Sequence, residues 1–104
     1  MLVIKVWCLP TLSQEALLSL FKDIVAAVVA IEKLGVKSEN EMLVLFPPDT
    51  MTYGLGKEVL VEVDGLPEVC WYPPNRFNME TDMKTVVNKH IPNANVIVHI
   101  RTTQ

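Results

Sequence analysis

MLVIKV opens the chain as a run of strand-forming residues, and the pattern predicts a strand over residues 2–8 that Pro10 ends. Thr11 with Gln14 three positions on reads as a capping box, and Ser13 competes as the cap. Helical spacing then takes over: Leu17, Phe21, Ile24, Val28 and Ile31 form one stripe, which predicts a helix to about Leu34 with Gly35 as its stop. The opposite face begins polar at Glu15, Ser19 and Lys22 and becomes Ala26, Val29 and Ala30, an apolar back that calls for cover from a neighbouring subunit. Met42 to Phe46 reads as a second strand, stopped by Pro47-Pro48-Asp49. Residues 52–57, TYGLGK, read as a turn with positive φ at Gly54 or Gly56. A phosphate loop would need its second glycine and lysine to be followed by Ser or Thr and a helix, whereas Glu58 and a strand over 58–63 follow.

Residues 64–77, DGLPEVCWYPPNRF, read as a long irregular connection: a partner-facing loop, or a surface arm packed down by Trp71, Tyr72 and Phe77. A second helix is expected from Asn78 or Thr81, with Met79, Met83, Val86 and Val87 on its apolar stripe. Glu80 and Asp82 would stand at its positive end and His90 at its negative end, before Pro92. NVIVHI, residues 95–100, is the last strand. The order is β-α-β twice within one domain, a first unit over about 1–46 and a second over about 58–101. IKVWCLP at 4–10 and VEVDGLP at 61–67 share the pattern aliphatic, charge, Val, two residues, Leu-Pro, which we read as an internal duplication.

Composition adds an oligomer. Half of the 104 residues are hydrophobic and 20% are charged, and the mean hydropathy is +0.29, more apolar than a small monomer can bury. Seven Lys and two Arg are scattered among twelve acids, and the net charge is −3, which argues against a nucleic-acid partner. The longest apolar run, residues 24–31, is flanked by Lys22-Asp23 and Glu32-Lys33 and is too short to span a bilayer. No leader pattern is present, so no signal peptide and no membrane partner are expected. Cys8 and Cys70 stand alone without a CxxC, which points to reduced thiols, a cytoplasmic setting and no cofactor. His90 and His99 have no third ligand at metal spacing, so no metal is expected.

The duplicated β-α-β pair resembles the tautomerase superfamily, the group of macrophage migration inhibitory factor and 5-carboxymethyl-2-hydroxymuconate isomerase. YGLGKEVLVEVDGLP (53–67) is similar to the turn and strand that open that family's second half, and PNANVIVHI (92–100) to its final strand. The resemblance implies an α+β fold of two β-α-β units about a pseudo-two-fold, packed as a homotrimer around a central core. A ferredoxin-like sandwich, which would suggest a ligand-binding module, has the same element order. Active members of the superfamily carry proline directly after the initiator Met, and its amine is a general base in an apolar pocket. An α-amine near ~8 in water is brought toward neutrality by desolvation or a nearby cation. Here Leu2 takes that place, so the initiator Met would be kept and Met1 would supply the amine. The resemblance further implies a cation near the pocket for a substrate carboxylate, for which Lys37 after the first helix is the nearest residue, and polar side chains from the last strand, where His99 falls with Arg101 on the same face; Arg76 in the WYPP arm could also fork a carboxylate. The expected function is a small-molecule-binding or structural homotrimer that has lost proton-transfer chemistry with the proline. The alternative is an isomerase acting on a small 2-oxo acid with the Met1 amine as base.

Overall fold

A computed structural model describes residues 2–48 and 58–101. The first unit is β1 (Leu2–Trp7), α1 (Gln14–Val29) and β2 (Met42–Leu45), and the second is β3 (Glu58–Asp64), α2 (Asn75–His90) and β4 (Asn95–Ile100). The four strands form one sheet in the order β2-β1-β3-β4. β1 runs parallel to β2 and β3 parallel to β4, while β1 and β3 are antiparallel at the centre. Each unit keeps its own two strands side by side. That excludes the ferredoxin-like alternative, in which another strand splits each β-α-β unit.

The register makes the internal duplication visible. In the repeat, Lys5 corresponds to Glu62, and these two residues are also directly opposite one another across β1 and β3. Ile4 pairs with Val63 and Val6 with Val61, so each aliphatic residue meets the repeat-equivalent of the other. A pseudo-two-fold therefore passes through the Lys5–Glu62 pair. On the outer strands, Leu2 pairs with Met42 and Val59 with Val96, and residues 42–45 and 96–99 share one order of burial: buried, exposed, half-buried, exposed. Cys8 and Gly65 also hold equivalent places in the repeat, and both adopt positive φ, +67° and +87°. This bend is why β1 ends at Trp7, one residue before the expected Cys8.

Strand alternation sends Leu2, Ile4, Val6, Val59, Val61, Val63, Val96 and Ile100 to one face. There they meet Leu20, Ile24 and Val28 of α1 and Met79, Met83 and Val87 of α2, each a row of every fourth residue. Full burial of such side chains contributes about 1.5–3 kcal/mol each. The buried row of α1 contains Leu20, while the predicted Leu17 and Phe21 flank it half-buried. Ser13, not Thr11, caps α1: its Oγ accepts from the Ala16 N–H at 3.1 Å.

Both helix boundaries differ from the sequence expectation. α1 stops at Val29 because Ile31 is extended, and Gly35, φ +69°, closes a separate 3-10 turn over Glu32–Leu34 that brings Leu34 into the core. α2 starts at Asn75, directly after Pro74, a residue whose fixed φ suits a helix start. Arg76 and Phe77 are thus helical, and no acid stands in the first turn. Glu80 and Asp82 lie beyond that positive end, where Glu80 pairs with Arg76, while His90 closes the helix as expected. The connection before α2 is correspondingly shorter. It is pinned by a 3-10 turn at Glu68–Cys70, by buried Cys70, and by the Trp71 indole donating to the Leu66 carbonyl at 2.9 Å. Tyr72 and Phe77 are 61% and 63% exposed and do not pack it down. The glycine-rich TYGLGK stretch at 52–57 lies outside the described residues.

Candidate functional site

The ends of four chain segments meet where β1 begins. Leu2 opens β1, Leu34 to Val36 follow the 3-10 turn after α1, Glu41 immediately precedes β2, and Gly65 and Pro67 leave β3. Parallel pairing of β1 with β2 and antiparallel pairing with β3 bring these ends to one edge of the sheet. Together they line a cleft of about 250 Å³. Leu2, Leu34, Val36 and Pro67 supply apolar surface, which alternates with polar surface along the walls. Glu41 is the one ionisable side chain among the lining residues described. Its Oε2 accepts the backbone N–H of Lys37, which fixes the carboxylate across the turn.

The residues singled out from sequence do not gather here. Met1 lies outside the described residues. Lys37 sits beside the cleft, but its side chain is exposed and only its backbone touches Glu41. Arg76 is on α2, where its Nε donates to Glu80 Oε1 at 3.3 Å. His99 and Arg101 share a face as the alternation predicts, and that face is the one turned away from the helices. Arg101 reaches toward Asp64, Nη1 to Oδ2 3.9 Å, beside a small hollow of about 20 Å³ shared with Val3, Lys5 and Glu62. Glu41 escaped the sequence reading, which looked for a cation. Its signal was its place, the residue directly before an apolar strand.

That outward face is the sheet's other notable surface. Across it run Leu43 and Leu45 from β2, Val3, Lys5 and Trp7 from β1, Leu60 and Glu62 from β3, and Ile97 and His99 from β4. Leu43, Leu45 and Ile97 are 43%, 38% and 48% exposed. The Trp7 indole donates to Glu62 Oε1, anchoring a charge in the middle of this surface. Ala26 and Ala30 on the back of α1 are exposed as well.

A second cleft, about 350 Å³, opens between the end of α1 and the start of α2, lined by Ala30 to Lys33, Asn75, Asn78 and Asp82. Elsewhere the two helices are joined by Asp23, which meets the His90 ring at 2.7 Å and Lys89 at 3.3 Å. The hydrogen bonds from His90 and then Lys89 hold the Asp23 carboxyl below its ordinary pKa. Burial pushes the Cys70 thiol up. Among the described residues no group of three His, Cys, Asp or Glu is placed to hold a metal ion, and no helix is long and apolar enough to cross a membrane.

No family model and no curated protein sequence matches the chain. Solved structures do. A macrophage migration inhibitory factor of Toxoplasma gondii superposes with a TM-score of 0.74 at 14% identity, over 98% of this chain and 90% of that one. A fused 4-OT wild-type asymmetric trimer gives 0.71 at 11% identity, over 97% and 85%. Malonate semialdehyde decarboxylase gives 0.67 at 18% identity, over 95% and 82%. All three are tautomerase superfamily proteins, and the fold of this chain is the tautomerase superfamily fold.

Proposed function

We propose that the protein is a homotrimeric, tautomerase-fold binding protein that takes up a small molecule in the cleft at the start of β1 and does not catalyse proton transfer. The observation that carries this reading is the uncovered face of the sheet. One face is fully packed by two helices, while the other presents Leu43, Leu45 and Ile97 to solvent. An uncovered sheet face that exposes large apolar side chains on both edge strands of a small domain marks an interface. The 4-OT structures with the same fold are described as trimers, which favours three copies over two. For the cleft, the supporting features are its mixed apolar and polar lining and its convergence of four segments on one carboxylate. What supports the absence of catalysis is Leu2, the residue after Met1, where the resemblance puts proline in active superfamily members. The buried, reduced Cys70 suits a cytoplasmic setting.

Light scattering at micromolar concentration tests the assembly. The expected mass is three times the 11.7 kDa chain, and Leu43→Lys with Ile97→Lys should shift it to one chain with the helical circular dichroism kept. A wild-type monomer would refute the reading. Phenylpyruvate ketonisation should proceed at the buffer rate. Turnover by the unmodified chain that acetylation of its amine abolishes would instead establish the active isomerase with Met1 as base.

A further inference from the structure

We propose that the cleft at the start of β1 selects a small organic cation, an ammonium group on a short apolar body, and discriminates against carboxylates through Glu41. This rests on reading the cleft as a ligand site. Leu2, Leu34, Val36 and Pro67 offer apolar contact to such a body, and the volume of about 250 Å³ holds a single ring or a short branched chain. Glu41 is the charged group there. Its Oε2 is held by the Lys37 N–H, so the carboxylate is already oriented and Oε1 is left to accept from a ligand. A charge-assisted hydrogen bond to an ammonium is about twice as strong as a neutral one.

Among the described residues that line the cleft no cation stands beside Glu41. The Lys37 side chain points to solvent, Arg76 is held by Glu80, and Arg101 lies by Asp64 on the sheet's outer face. A ligand carboxylate brought to roughly 6 Å of Glu41 meets a repulsion worth about threefold in affinity even at the dielectric of water, and an ammonium gains as much. Between two ligands of equal shape the difference is then about tenfold or more.

Benzylammonium, benzyl alcohol and benzoate are matched probes, titrated at millimolar concentration into the full chain and followed by NMR shifts of Leu34, Val36 and Gly65. The expected order of affinity is benzylammonium, then benzyl alcohol, then benzoate. Glu41→Gln keeps an oxygen for the Lys37 N–H and should bring the three probes to within about threefold of one another. Glu39→Gln removes the same charge from the same exposed turn but not from the cleft lining, and should leave the order intact. Benzoate binding as tightly as benzylammonium, or equal effects of the two substitutions, would overturn the selectivity while leaving the cleft a binding site. Binding of none of the three would remove the cleft as a site, and the selectivity with it.

Discussion

Cys8 is a β-carbon-bearing residue held at φ +67°, in the place where the second half of the chain uses Gly65 at +87°. An L-residue with a Cβ loses roughly 1–2 kcal/mol in this left-handed region. Cys8→Gly removes that strain and adds about 0.5–1 kcal/mol of unfolded-chain entropy to be lost on folding, so the net expectation is a gain of up to about 1.5 kcal/mol. Gly35→Ala calibrates the scale. Gly35 has φ +69°, and a Cβ built on it meets nothing within 4 Å, so the cost is that of the backbone alone. The expected loss is about 1 kcal/mol, or about 4–8 °C in Tm for a domain of this size. Gly35→Asn should lose less, because Asn tolerates the left-handed region. Urea titration followed by circular dichroism measures all three, at one protein concentration because assembly couples to stability. Cys8→Gly destabilising by more than Gly35→Ala would refute the reasoning. The thiol's contacts would then outweigh the strain, and the shared backbone bend would not be what limits the first unit.

Ile24→Ala, which empties a fully buried site between α1 and the sheet, should cost about 2–5 kcal/mol in the same titration. Trp71→Phe deletes the indole bond to the Leu66 carbonyl and should cost about 1 kcal/mol, read from the denaturation midpoint. Asp23, whose folded pKa is depressed by His90 and Lys89, contributes stability that is present above its unfolded pKa and is lost as pH falls through the folded value. Asp23→Asn should therefore flatten the acid limb of a pH–stability profile. Iodoacetamide should label half-buried Cys8 well before Cys70, which is 1% exposed and has a raised thiol pKa, with mass spectrometry reporting the order.

The strand pairs and the duplication were legible because period-two apolar runs and the repeated IKVWCLP and VEVDGLP carry them directly. Helix ends were not. Ile31 continues the helical stripe in sequence but is extended in the structure, because Leu34 must turn back into the core. Asn75 to Phe77 look like loop because two prolines precede them, yet proline at a helix start is favourable and they fold as the first turn of α2. At the candidate site, a search for cations pointed to Lys37, Arg76, His99 and Arg101. Which of them face one another depends on pairings between distant segments, and only Lys37 comes beside the cleft, through its backbone. Glu41 becomes visible once β1 and β2 are known to lie parallel with Leu2 against Met42.

The pseudo-two-fold through Lys5 and Glu62 has a historical consequence. Along the β1–β3 ladder these two residues are each other's symmetry mates and also direct neighbours. A chain just duplicated, with identical halves, would have set this residue against a copy of itself. Two lysines or two glutamates there would repel, by roughly 0.2–1 kcal/mol for directly opposed like charges. Divergence to opposite signs turns the same contact favourable, so this is a position where losing the repeat's identity is itself an advantage. The signature would survive in the laboratory: Lys5→Glu and Glu62→Lys should each destabilise the fold, and the double exchange should recover the part due to the charge pair while still lacking the Trp7 indole bond to Glu62.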